Sequence, residues 1–277
     1  YQSAKLGVDQ LIAAVPQAAK LATLRGEQVA SVGSQDMTDA IWLALASRVE
    51  AALAAPEVAG VVITHGTDTL EETAYFLNLV VGSRKPVVLT AAMRPATALS
   101  ADGPLNFYNA VAVAASPAAA GRGVLVVIND AIHGAAGVTK ASTTAVHTFV
   151  SPTRGLLGTV TFGAIEFFGD PRARDAAQPP FPLAGVTALP RVDIVYAHAG
   201  MGPELIDAAV AAGARGLVVA GVGNGNMSAS ALQALARAAG RGVVCVRSSR
   251  VQHGAVGRNV EVDDDAQGLV ASDELNP

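Results

Sequence analysis

The stretch Gly60-Val61-Val62-Ile63-Thr64-His65-Gly66-Thr67-Asp68-Thr69 joins a short β-branched run to a turn rich in hydroxyl groups. A run of this kind, bounded by glycine, is typical of a strand buried on both faces of a parallel sheet. Residues 70–77 then predict a helix. Ligands and catalytic groups of open α/β sheets lie in such turns, at the carboxyl ends of strands. Capping one helix needs only one Thr or Asp, so this crowded turn predicts a functional site.

Strands and helices alternate on both sides of that stretch. The pattern predicts strands at 28–31, 86–90, 123–129, 192–196, 216–220 and 242–246, a hairpin at 157–168, and helices at 38–53, 204–212, 228–239 and from Asp102-Gly103-Pro104 onward. This order predicts the α/β class with two α/β domains, a larger N-terminal one with a doubly wound, mostly parallel sheet and a smaller C-terminal parallel one. Residues 169–190 contain five prolines and predict a linker. We therefore expect a catalytic domain at 1–168 and a second domain at 191–277.

Composition excludes several classes of protein. Of the 277 residues, 51% are hydrophobic and 15% charged, which excludes a disordered chain. No stretch approaches the roughly 18 uncharged apolar residues of a membrane span. A net charge of −4 and an aromatic content of 4% argue against a nucleic-acid partner. The one cysteine, Cys245, lies in a predicted strand and is expected to be buried as a small apolar side chain. No pair of histidines has the spacing of metal ligands.

Several further segments could carry function, and each has a plainer interpretation. Ser34 and Gln35 could bind a polar ligand, or Ser34 or Asp36 could simply cap the helix that starts near Thr38. Lys140 could be a partly desolvated base or a solvated loop lysine. The glycine-rich run at 221–226 does not match the dinucleotide-binding fingerprint, so we expect no nicotinamide cofactor. The acidic run at 261–265 is typical of a solvated loop or a weak cation site.

Taken together and in order, eight segments resemble the bacterial type II L-asparaginases. The resemblance spans nearly the whole chain and rests on Gly33-Ser34-Gln35-Asp36, His65-Gly66-Thr67-Asp68-Thr69, Ala92-Met93-Arg94-Pro95, Ser100-Ala101-Asp102-Gly103-Pro104, Val138-Thr139-Lys140, Gly223-Asn224-Gly225-Asn226, Arg247-Ser248-Ser249-Arg250 and Leu275-Asn276-Pro277.

The resemblance implies an amidohydrolase that converts L-asparagine to L-aspartate and ammonia through a threonine acyl-enzyme, without metal or cofactor. It implies that Thr67 and Lys140 form a hydroxyl and base couple beside Asp68. Ser34 and Gln35 are expected to hold the α-carboxylate and α-amino ends of the substrate, and Asp68 its α-amino group.

The resemblance also implies a homotetramer. Asn226 and Glu261 are expected to complete the substrate site of a neighbouring subunit across a dimer interface. A type II enzyme is expected to be periplasmic or secreted, although a cytoplasmic location remains open. The expected partners are small molecules, L-asparagine and, more slowly, L-glutamine.

Two features of the family have no counterpart in the 277 residues. The family's first catalytic threonine lies in a Thr-Gly-Gly-Thr turn, and its last helix follows the segment that matches Asn276-Pro277. Tyr1 resembles the tyrosine of the mobile lid over that threonine and is expected to be catalytic, so the sequence would begin just past the first strand and the flexible half of that lid. Two alternatives stay open: a glutaminase-asparaginase with little preference, and an inactive truncated chain that binds amino acids.

Overall fold

The computed structural model describes residues 7–169 and 178–277. The chain divides into two units, Tyr1–Ala188 and Leu189–Pro277, and each contains a β-sheet with helices. The predicted class, with a larger N-terminal and a smaller C-terminal α/β domain, is therefore confirmed. Most of the predicted linker's first half, residues 170–177, lies outside the described residues.

The first unit is built on a six-stranded sheet with strand order β1-β2-β3-β4-β7-β8. Its helices and strands are α1 (Val8–Ala13), α2 (Asp39–Ala54), β1 (Val61–Thr64), α3 (Leu70–Val80), β2 (Val87–Thr90), α4 (Gly103–Ala115), β3 (Val124–Ile128), β4 (Ala131–Gly134), β5 (Thr139–Lys140), β6 (Phe149–Val150), β7 (Gly158–Thr161) and β8 (Ala164–Phe167). Strands β5 and β6 form a separate two-stranded sheet.

The six-stranded sheet is mixed rather than mostly parallel. Strands β1, β2 and β3 are parallel, but β4, β7 and β8 join by antiparallel pairing. The antiparallel pairing arises locally, because two consecutive strands can pair in this way when a turn of only two residues joins them. Asn129 and Asp130, with φ of 49° and 62°, supply one such turn between β3 and β4. The predicted strand at 123–129 therefore ends one residue early.

Helices cover both faces of this sheet, as the doubly wound prediction requires. Residues of α2 and α3 pack with Val61 and Ile63 on one face, and residues of α4 pack with Val62 on the other. Strand β1 is half-buried because it is an outer strand among those described. The predicted strand at 28–31 is wrong, since these residues are irregular. Their one large apolar side chain, Val29, is exposed, so burial does not stabilise a strand there.

The second unit has an all-parallel sheet with strand order β12-β11-β10-β9. Its elements are β9 (Val192–Tyr196), α5 (Glu204–Ala211), β10 (Gly216–Gly221), α6 (Ala229–Gly240), β11 (Val244–Ser249), α7 (Asp264–Gln267) and β12 (Val270–Ala271). Cys245 is buried in the core of this unit, and burial raises the pKa of its thiol to about 11. In the part of the chain that the structure describes, no helix has the length and apolarity that crossing a membrane requires.

Candidate active site

The turn at residues 65–69 leaves the carboxyl end of β1 and leads into α3. A short 3-10 turn at Ser34–Asp36 packs directly against it. The buried Ser34 accepts a hydrogen bond at Oγ from the Asp68 N–H (3.1 Å), and its carbonyl accepts one from Thr69 Oγ1 (2.7 Å). The Gly33–Asp36 and His65–Thr69 motifs, 34 residues apart at Ser34 and Asp68, are thus one structural unit.

Glycine is required at position 66 by this close approach. A Cβ atom there would lie 2.6 Å from Ser34 Oγ and 2.9 Å from Ser34 Cβ. Side-chain atoms do not approach a Cβ that closely without displacement, so any larger residue would push Ser34 away from Asp68.

Lys140 brings a third segment of the chain to the same place. Its Nζ donates to Thr67 Oγ1 (2.9 Å) and forms an ion pair with Asp68 Oδ1 (2.6 Å). The Lys140 side chain is 17% exposed and that of Asp68 is 60% exposed. The lysine is therefore largely desolvated, while the carboxylate remains open to solvent.

The main chain of Lys140 is held by Glu71, a residue that belongs to none of the motifs recognised in the sequence. The Glu71 carboxylate accepts hydrogen bonds from the Lys140 N–H and from Thr139 Oγ1. Burial raises the pKa of the Glu71 carboxyl, and these two donors act against that rise. The available signal was its position in the first turn of the helix that follows the motif.

His65 lies behind the turn in a chain of hydrogen bonds. Trp42 Nε1 donates to Thr73 Oγ1 (2.8 Å), which lies 3.0 Å from His65 Nε2, and His65 Nδ1 lies 2.7 Å from the Gly66 carbonyl. Burial lowers the pKa of His65. His65 is therefore a hydrogen-bonded structural imidazole.

The described hydrogen bonds do not link the side chain of Gln35 to the cluster formed by Ser34, Thr67, Asp68 and Lys140. It is exposed, and its Nε2 donates to Asp36 Oδ2 (3.0 Å). An exposed amide beside the cluster remains available to a ligand. Tyr1 lies outside the described residues.

Asn226 and Glu261 are in contact with each other in the second unit, where Asn226 Nδ2 donates to Glu261 Oε2. The turn that carries Asn226 is held by Arg247, which donates to the Asn224 carbonyl (2.6 Å) and pairs with Asp264. Spacing alone did not predict the contact between these two residues, which are 35 positions apart.

In residues 7–169 and 178–277, no group of three or more His, Cys, Asp or Glu side chains is arranged to hold a metal ion. The cluster in the first unit instead combines a hydroxyl, a cation and a carboxylate within hydrogen-bond distance. Such a set can transfer a proton to or from a reacting group and can bind a zwitterionic ligand.

Two family models match the chain. The model described as "Asparaginase, N-terminal" matches residues 1–173, and "Glutaminase/Asparaginase C-terminal domain" matches residues 191–277.

Several curated proteins are similar to the chain over all 277 residues. The chain is 50% identical to "Probable L-asparaginase periplasmic" of Haemophilus influenzae and 49% identical to "L-asparaginase 2" of Escherichia coli, covering 100% of this chain and 79% of each relative. It is also 44% identical over 278 residues to a "Glutaminase-asparaginase" of Pseudomonas fluorescens, covering 100% of this chain and 76% of that relative.

Proposed function

The chain belongs to the asparaginase family of amide hydrolases, and from that premise we propose that it hydrolyses the side-chain amide of L-asparagine through a threonine acyl-enzyme. The observation that carries the proposal is the position of Lys140 Nζ, within hydrogen-bond distance of both Thr67 Oγ1 and Asp68 Oδ1. A hydroxyl, a nitrogen base and an orienting carboxylate are the groups that nucleophilic catalysis requires.

In the proposed reaction a threonine Oγ attacks the side-chain carbonyl carbon. The C–N bond then breaks, and the leaving nitrogen takes up the proton of the threonine hydroxyl to depart as ammonia. Water then attacks the resulting β-aspartyl ester and releases aspartate and the free hydroxyl. Lys140 and Thr67 carry protons to and from the reacting oxygen, since Nζ lies in transfer range of the hydroxyl. Main-chain N–H groups near Thr67 are the proposed donors to the developing oxyanion; those of His65 and Asp68 already donate to Thr90 and Ser34.

Substrate binding is proposed to use the open side of the same cluster. The exposed carboxylate of Asp68 suits the α-ammonium group of the amino acid, and Ser34 and Gln35 suit its two charged ends. Ser34 contributes mainly through the turn, because its hydroxyl already accepts the Asp68 N–H.

The test uses Lys140→Met and Thr67→Val in the full-length protein, with ammonia release as the measurement. Each change removes a proton carrier while it keeps similar volume, so we expect kcat to fall by roughly 100-fold or more. Circular dichroism should show that both variants remain folded. Ammonia release near the wild-type rate from either variant would contradict its role.

A glutaminase-asparaginase with little preference is the second candidate, favoured by the relative of that name. Glutamine is one methylene longer than asparagine, and a methylene supplies only about 1–3 kcal/mol of discrimination. The ratio of kcat/KM for the two amides decides between the candidates, and a ratio near one would establish the second.

The name of the Haemophilus influenzae relative supports a periplasmic location for this protein as well. Fractionation of the native cells, with ammonia release measured in the periplasmic and cytoplasmic fractions, tests this. Activity confined to the cytoplasm would contradict it.

A further inference from the structure

Glu71 connects the site turn to the strand that carries Lys140. Its Oε1 accepts from Thr139 Oγ1 (3.2 Å) and its Oε2 from the Lys140 N–H. Both oxygens of the carboxylate are therefore used on two consecutive residues of β5.

Strand β5 needs such a connection because its own pairing is small. It has two residues, Thr139 and Lys140, which pair only with Val150 and Phe149 of β6 in the described sheets. A short two-stranded ladder is only marginally stable in water. Val138 and Phe149 pack into the core and hold the ladder there, but apolar packing does not set the register of a polar side chain to a fraction of an ångström.

The main chain and the side-chain amine of Lys140 both bind the same five-residue segment, 67–71. Its main-chain N–H binds Glu71, and its Nζ binds Thr67 and Asp68. These bonds fix the position of the Lys140 main chain as well as that of its Nζ atom.

We propose that Glu71 is a positioning residue for the amide hydrolysis: its carboxylate holds the main chain of β5 so that Lys140 Nζ meets Thr67 and Asp68. The inference rests on the proposed function, because it concerns the same lysine. The carboxylate of Glu71 accepts from the Thr139 hydroxyl and from the Lys140 N–H. It acts through the geometry of Lys140.

The test compares Glu71→Ala and Glu71→Gln with Glu72→Gln in the full-length protein. Glu72 is the matched control because it is the next residue on the same helix and is exposed. Glu71→Ala should lower kcat about 10- to 100-fold, since displacements near 1 Å cost that much. KM should change less than about threefold, because the proposed substrate-binding residues Ser34, Gln35 and Asp68 are unchanged.

Glu71→Gln should return kcat to within about threefold of wild type. The glutamine Oε1 can accept the Lys140 N–H, and its amide can donate to the Thr139 hydroxyl, which can rotate to accept. Glu72→Gln should match the wild type. Rescue by glutamine separates a positioning role from general loss of stability, provided that kcat is expressed per folded molecule.

If Glu71→Ala does not fold, Glu71→Asp takes its place, because a shorter carboxylate cannot reach both donors and should still lower kcat about tenfold. Wild-type kcat in the folded Ala or Asp variant, with Lys140→Met inactive, would overturn this inference alone. A wild type that releases no ammonia would overturn the proposed function and this inference with it. An equal loss in Glu71→Gln and Glu71→Ala would also overturn the inference, since it would indicate a need for charge rather than position.

Discussion

The imidazole of His65 lies between the Thr73 hydroxyl and the Gly66 carbonyl, and its partners determine its protonation. Trp42 Nε1 can only donate, so Thr73 Oγ1 accepts from it and donates to His65 Nε2. Nδ1 therefore carries the hydrogen and donates to the Gly66 carbonyl. This neutral tautomer satisfies every partner, whereas a second ring proton would oppose the Thr73 hydroxyl hydrogen. His65, two residues before the proposed proton carrier Thr67, is thus held by an uncharged network.

A pH dependence of stability follows at this residue. Burial lowers the pKa of His65, so the unfolded chain binds a proton more readily than the folded one as the pH falls below about 6.5. The free energy of unfolding of the wild type should therefore decrease from pH 7 to pH 5 relative to that of His65→Gln. Urea unfolding at several pH values measures the difference between the two proteins.

Because His65→Gln keeps the other titratable groups, their contributions to the pH dependence of stability cancel when the two proteins are compared. The carboxyls of Glu71 and Glu72 have raised pKa values and shift stability in the opposite direction, but they do so in both proteins. Parallel curves of unfolding free energy against pH would contradict the prediction.

Among the elements, β11 and α7 are joined by a fully buried ion pair. Arg247 and Asp264 are 0% exposed, and two hydrogen bonds of 2.8 Å join them. Arg247 also donates to the carbonyls of Asn224 and Gly257, so it holds together the loops that lead to Asn226 and Glu261. The arginine holds the pKa of the Asp264 carboxyl below its usual value.

Removing one member of this pair should be strongly destabilising, because it leaves an uncompensated buried charge. We expect Arg247→Met to lower the free energy of unfolding by about 3–5 kcal/mol, measured by urea denaturation. Arg237→Ala is the control, since Arg237 pairs with Asp207 at 3.4 Å on the surface and should cost less than about 1 kcal/mol. Similar losses in both variants would argue against a special role for the buried pair.

These elements also show how far the sequence could lead. Long apolar runs such as 124–128 and periodic helices such as 39–54 were predicted to within a residue or two, because burial on a regular backbone leaves a regular pattern. The acidic run was predicted as a solvated loop, a weak cation site or a site element, yet Asp264 within it is buried. Its partner Arg247 is 17 residues away, and local pattern does not encode such a distance.

The same limit applies to the site. Motifs indicated Thr67, Asp68 and Lys140 separately, and the resemblance grouped them. The contact between Lys140 and Thr67 spans 73 residues and depends on how β5 is held. Glu71 was missed for this reason, since a glutamate in the first turn of a helix is ordinary in sequence.

For the whole molecule, the proposed homotetramer makes a prediction about mixed subunits. Thr67 and Lys140 belong to the first unit, Asn226 and Glu261 to the second. If one subunit supplies the first pair and its neighbour the second, a Lys140→Met subunit and a Glu261→Gln subunit together form one intact site per mixed pair. Each variant alone should be nearly inactive. An equal mixture that exchanges subunits should then recover about a quarter of the wild-type sites, by random pairing across a two-fold interface.

The control for this experiment is a mixture of Lys140→Met with Thr67→Val. Both changes affect the same side of the proposed interface, so every mixed pair keeps two defective sites and ammonia release should stay at background. Native mass spectrometry establishes that mixed oligomers have formed in each case. Mixed oligomers of Lys140→Met and Glu261→Gln without recovered activity would contradict the shared site, because each complete site would then have to be built within one chain.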